Sequence, residues 1–196
     1  MATYHAIATT GETILGMLRD ACPKPEFDGM QFELYQANDF SNPMKEGISL
    51  YLYRVSTNTT RRNLPPRVDA DGRRYRPPLP IDLHYLLVPW ALTAEKQQWL
   101  LGWSMRTLED TPILPAKVLN YYGSGGETFR SEEAVELVCE PIALQEIINI
   151  WDAFKPNLQI SVAYIARMIE IDSSIELIEG PIAQTRVFDF GKGPAV

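Results

Sequence analysis

Apolar residues recur along this chain in two periods, and the alternation between those periods lays out a domain. Tyr4, Ile7, Ala8, Gly11, Ile14, Leu15 and Leu18 fall at helical spacing, which predicts an amphipathic N-terminal helix capped by Thr3, with Pro23 and Pro25 beyond its end. Met30, Phe32 and Leu34 then alternate with Gln31 and Glu33, the period of a half-buried strand. Ile48 to Val55 contains Leu50-Tyr51-Leu52-Tyr53 and is apolar or aromatic on both faces. That predicts a strand covered on both sides, near the middle of a sheet. Ile81, Leu83, Tyr85 and Leu87 restart the two-residue period, and Pro89, which has no N–H for a ladder, is expected to end the strand.

Thr93 is placed to cap a helix through Glu109, with Trp99, Leu100, Trp103, Met105 and Leu108 on its packed faces. Thr111-Pro112 breaks it, and Ile113 to Leu119 predicts a short helical turn before the glycine-rich loop Gly123 to Gly126. Ala134 to Glu140 reads as a strand. Leu144, Ile147, Ile148, Trp151 and Phe154 form the clearest helical stripe, and Ile160 to Ile171 returns to strand alternation. Helices lying between groups of strands, without a regular βαβ repeat, predict an α/β fold: a single domain with a mixed β-sheet flanked by helices. That domain is expected over residues 1–178. Glu179-Gly180-Pro181 sets off a C-terminal extension, 179–196, whose Val187-Phe188-Asp189-Phe190 is short and β-prone. A chain of 196 residues fits one such core.

Charge changes this picture at one place. Seven arginines and two acids lie between Arg54 and Arg76, a local +5, whereas the remainder carries 11 basic and 23 acidic residues, or −12, for a net −7. The basic stretch falls in a proline-rich loop, 54–80, in which Pro65-Pro66 and Pro77-Pro78 bracket the turn signal Asp69-Ala70-Asp71-Gly72. A hairpin and an irregular projection are both compatible with it. Arginine forks bind carboxylates and phosphates, so three readings stand open. The loop meets an acidic protein surface, contacts nucleic acid with Tyr75 stacking on bases, or is simply solvated. A pI near 4.9 disfavours a dedicated nucleic-acid binder. The candidate interface set is Arg61, Arg62, Asn63, Arg67, Arg73, Arg74 and Arg76.

Chemistry is sparse elsewhere. Gly123 to Gly126 runs into Glu127-Thr128 without the lysine a phosphate loop needs. His5 and His84 have no paired ligand spacing, and Cys22 and Cys139 are read as free thiols. A Cys139–His84 nucleophile and base can be drawn, but a buried structural cysteine is the simpler reading. Glu132, Glu133, Glu136 and Glu140 are read as a solvated face. No cofactor, metal or catalytic set is therefore expected. The longest apolar run, Tyr85 to Leu92, is far short of a membrane span of about 20 residues, and no secretory leader is apparent. Assembly in the cytoplasm is the expectation.

The ordered series of segments is more specific than any one of them. It comprises Ser49-Leu50-Tyr51-Leu52-Tyr53-Arg54-Val55, Asn58, Arg62-Asn63, and Pro77-Pro78-Leu79-Pro80-Ile81-Asp82-Leu83-His84-Tyr85-Leu86-Leu87. It continues with Leu100-Leu101-Gly102, Met105-Arg106, Leu108, Thr111-Pro112-Ile113-Leu114, Ile150-Trp151-Asp152-Ala153-Phe154 and Ser161-Val162-Ala163-Tyr164. In that order they resemble the cap, or tail-tube terminator, proteins of extracellular contractile injection systems, over about Thr3 to Asp172. The resemblance implies a phage tail-terminator-like fold and a homohexameric ring. It further implies a structural role, closing the inner tube and anchoring the last sheath ring, with tube and sheath proteins as partners and no membrane or cofactor. The alternative is an adaptor or terminator of another phage-like tail, with a nucleic-acid-binding module less favoured. Val187, Phe188 and Phe190 are the candidate sheath-contacting residues of the tail, against the alternative that this strand completes the domain's own sheet.

Overall fold

The structure, a computed structural model, describes residues 2–61, 63–154 and 157–177. In chain order it runs α1 (Ala6–Ala21), β1 (Gln31–Tyr35), β2 (Gly47–Thr57), β3 (Arg67–Val68), β4 (Arg74–Tyr75), β5 (Leu79–Trp90) and α2 (Ala94–Glu109). It continues through β6 (Ile113–Pro115), α3 (Ala116–Tyr122), β7 (Ala134–Glu140), α4 (Leu144–Phe154) and β8 (Val162–Ile171). Six strands form one mixed sheet in the order β1-β2-β5-β8-β7-β6, and β3 and β4 form a separate hairpin. The β1–β2 pair is parallel, and the other pairs of the sheet are antiparallel. This is the single α/β domain with a mixed, helix-flanked sheet that the sequence predicts.

β5 sits beside β2 on one side and β8 on the other, and its alternating residues divide between two cores. Leu83, Tyr85 and Leu87 join Ile48, Leu50 and the buried faces of α1, α2 and α3. Leu86, Val88 and Trp90 face the other way, into a smaller aromatic core closed by Phe40 and Trp151. Phe40 lies on a 3-10 turn, Ala37–Ser41. It stacks on Phe154 with centroids 4.2 Å apart and meets Tyr35, Tyr51 and Trp151 edge-on. Trp90 donates its indole N–H to Ser49 Oγ at 2.8 Å, so the one polar atom this ring brings inside is satisfied.

Several boundaries differ from the sequence reading for physical reasons. β2 is second from the sheet edge, and β5 and β8 are central. Pro89 does not end β5, because the β8 ladder stops at Leu87 opposite Val162 and no N–H is demanded of it on that side. Thr3 does not cap α1. The helix starts at Ala6, while Ala2 is drawn into a parallel bridge with Ile171 and Thr3 N–H donates to the Thr128 carbonyl. Thr93, by contrast, does cap α2, its hydroxyl accepting from Lys96 N–H at 3.2 Å. Ile113 to Leu119 divides into a strand and a helix, and β8 begins at Val162 rather than Ile160. Leu34 is 42% and Trp99 53% exposed, so neither belongs to the core predicted for it.

Gly16 is required by close packing, since a Cβ there would lie 2.2 Å from the Tyr122 ring. Its absence lets α3 press on α1, and the Tyr122 hydroxyl then reaches the Asp20 carboxylate at 2.7 Å. Truncating the aromatic centre of the second core tests how much of the fold it holds. Phe40→Ala is expected to cost about 3–5 kcal/mol, the range for emptying a large buried ring, read as a lower urea midpoint with unchanged slope.

Candidate functional site

The basic loop folds as a hairpin. Its turn is closed by Asp69 N–H to the Arg73 carbonyl at 3.0 Å and Gly72 N–H to the Asp69 carbonyl at 3.1 Å, with Gly72 at φ 81°. The Asp69 carboxylate accepts from Asp71 N–H, Arg73 N–H and the Tyr75 hydroxyl at 3.0, 2.9 and 3.1 Å. Desolvation pushes this carboxyl up, and the bonds from Arg73, Tyr75 and Asp71 outweigh it, holding the group below its ordinary range.

Acids at the end of β8 dock the hairpin. Arg61 pairs with Glu170 at 3.0 Å, and Asp172 takes both Arg130 at 3.1 Å and Arg67 at 3.6 Å. The Arg67 guanidinium lies 4.2 Å over the Tyr75 ring, a cation–π contact. Beyond β8 the chain pairs with β4, Arg76 N–H donating to the Ile175 carbonyl at 3.0 Å and Leu177 N–H to the Arg74 carbonyl at 2.7 Å.

The candidate interface set is thereby sorted. Arg61 and Arg67 are engaged within the chain. Asn63, Arg73, Arg74 and Arg76 are exposed, and Arg62 lies outside the described residues, as do Val187, Phe188 and Phe190. Part of the charge contrast between loop and remainder is satisfied inside the molecule.

Around His84 lies a functional-looking cluster that sequence reasoning missed. The His84 Nε2 is 2.9 Å from Ser56 Oγ and its Nδ1 is 2.8 Å from Glu140 Oε2, with the Tyr53 hydroxyl also on Glu140 at 3.4 Å. Burial first, then the charge of Glu140, pushes the Tyr53 phenol up to about 12. The order hydroxyl, imidazole, carboxylate is that of a nucleophile relay. Here, however, the imidazole is only 6% exposed and both its nitrogens are held by strands β2 and β7, which makes it a cross-strand tie. Cys139 packs against the opposite face, in the three-helix core, and burial raises its thiol. It is no partner for His84. Only the sheet register could have revealed the actual trio, because its members are 28 and 56 residues apart.

The glycine loop is occupied by carboxylate. Ser124 N–H and its hydroxyl both donate to Glu12, each at 2.7 Å. Among the described residues no group of three or more His, Cys, Asp or Glu is arranged to hold a metal, and no helix is long and apolar enough to cross a membrane. An apolar groove of about 430 Å³ opens between α1 and the outer strands, lined by Tyr4, Ile7, Leu34, Leu50, Leu52 and Tyr85 among others.

The mixed sheet flanked by helices is a fold shared with tube-terminating proteins. It matches the PVC sheath/tube terminator of an extracellular contractile injection system, in its extended state, with a TM-score of 0.58 at 14% identity over 96% of this chain. The anti-feeding prophage cap, a tube-terminating cap, matches with the same score and identity over 91%. This chain spans only 62% and 60% of those two chains. The chain belongs to the Pvc16 N-terminal domain family, whose profile matches residues 9–185. No curated protein sequence matches it significantly.

If the ion pairs hold the hairpin, removing their shared acid must loosen it. Asp172→Ala strands two arginines beside β8 and is expected to cost about 1–3 kcal/mol. Amide exchange should rise at Asp69 and Gly72 while the β5 amides stay protected.

Proposed function

We propose that this domain is a structural cap, a tail terminator that closes the inner tube and anchors the last sheath ring of a contractile injection system. The observation that carries the reading is the terminator fold over 96% of the chain, together with membership of the Pvc16 N-terminal domain family. The work is geometric and needs no bond-making. Tube rings stack head to tail and grow without limit until a ring binds whose outer face accepts no further layer. The cap assembles in the cytoplasm as a homohexameric ring, the symmetry that matches a six-fold tube, and stays with the tail-like particle. An adaptor or terminator of another phage-like tail is the nearest alternative, and nucleic acid is a disfavoured partner for a chain of pI 4.9.

The exposed part of the hairpin, Arg73, Arg74 and Arg76 with Asn63, contacts the tube or the neighbouring subunit. Arg61 and Arg67 act indirectly, by holding the hairpin in place. The extension beyond residue 178, through Val187, Phe188 and Phe190, contacts sheath by strand addition, the mode open to a short β-prone segment.

Particles assembled without this protein are expected to carry tubes of uncontrolled length in electron micrographs, and the purified protein to have the mass of a hexamer. Tubes of normal length in its absence would reject the cap reading. Reversing Arg73 and Arg76 to Glu should leave the fold intact and weaken ring formation or tube binding by about tenfold or more, the scale of one desolvated charge contact. Unchanged binding would reduce the hairpin to a structural element.

A further inference from the structure

β1 covers only the first half of β2. It pairs with Gly47 through Tyr51, and the chain then leaves the sheet through the Ala37–Ser41 turn. From Leu52 to Thr57, β2 pairs with β5 alone, so among the described residues its other side is an open edge. The ladder fixes which groups point outward. Asn58 N–H donates to the Pro80 carbonyl at 3.0 Å. Antiparallel partners alternate, so Arg54 and Ser56 direct their backbone groups to β5 while Val55 and Thr57 direct theirs out of the sheet.

The two faces of this edge differ in chemistry. On the α1 side lies the apolar groove of about 430 Å³, with Leu52 and Leu34 in its wall and Val55 on the same face, 47% exposed. On the opposite side Arg54 is exposed, and among the described residues its guanidinium has no hydrogen bond or ion pair. Asp82, on that same side, is taken up by the Asn58 amide at 3.1 Å.

We propose that Leu52–Thr57 receives an added strand from a different polypeptide, an extended segment that alternates apolar and acidic residues. Only an extended backbone can satisfy outward N–H and C=O groups at Val55 and Thr57 together. Side chains of the added strand alternate between faces. One set therefore enters the α1 groove beside Val55 and must be apolar, and the other lies beside Arg54, where a carboxylate is attracted and an ammonium repelled. Six residues of edge, about 20 Å at strand rise, accommodate a segment of five or six. The inference adds to the cap reading a contact distinct from those proposed above for the hairpin and the tail.

Two synthetic hexapeptides test it, both alternating valine or phenylalanine with a charged residue, glutamate in one and lysine in the other. Hydrogen exchange is followed by NMR on the full chain. With the glutamate peptide at ten times its dissociation constant, exchange at Val55 and Thr57 is expected to slow about tenfold, with Arg54 and Ser56 unchanged. The lysine peptide should have no effect, and Arg54→Glu should reverse the preference. No response at Val55 and Thr57 to either peptide overturns the proposal. Protection of these two amides in the peptide-free chain also overturns it, since residues 178–196 or a second copy then fill the edge, and dependence on protein concentration separates those two. None of these outcomes bears on tube length, so this inference and the cap reading fail independently.

Discussion

β5 is the strand on which both layers of the domain are registered. It is buried on both faces and paired on both sides, so its alternation decides which residues meet the helices and which meet the aromatic core. A slip of one residue would send Leu83, Tyr85 and Leu87 to the wrong core. Three polar contacts make such a slip expensive. Tyr85 donates its hydroxyl to the Ile7 carbonyl at 3.2 Å, His84 ties Ser56 to Glu140, and Trp90 bonds Ser49. Each would leave a buried polar group unpaired if the register changed, at about 1–3 kcal/mol apiece. Apolar packing supplies most of the cohesion, and these bonds select one alignment.

The periodic segments were the legible part of the sequence. The stripe from Leu144 to Phe154 and the strand Ala134 to Glu140 coincide with α4 and β7, because one face of each packs against a core, Trp151 of α4 and Val135 and Leu137 of β7 being buried. What the pattern missed depends on pairing between distant segments. Thr3 has the chemistry of a cap, but the bridge from Ala2 to Ile171 outcompetes it for the chain's direction. Pro89 carries the right objection to a strand, and only the length of the neighbouring ladder removes it. Leu34 has the right period yet faces a groove that nothing in the described chain fills.

The candidate site was legible in charge and not in geometry. A run of arginines against an acidic remainder does mark a contact, but the nearest acids belong to the same chain. Glu170 and Asp172 sit where β8 ends, beside the hairpin's base, and take Arg61 and Arg67. The consequence of these pairs is positional: the hairpin's arginines from Arg73 to Arg76 are presented from a fixed base rather than from a loose loop. A stretch that composition describes as uniformly basic thus holds arginines tied to β8, Arg61 and Arg67, and exposed ones, Arg73 and Arg76.

The two sides of the sheet end unequally, in β1 and the uncovered half of β2 on one side and in β6 on the other. β6, the far edge, is three residues long and ends in Pro115, which offers no N–H. It is blunted by two of the means by which sheets avoid edge pairing, shortness and proline. β2 beyond Tyr51 has neither protection, being six residues long and free of proline. Two open edges would let copies join edge to edge without end. One open and one blunted edge cannot propagate that way, so an occupant of the open edge ends the sheet instead of extending it.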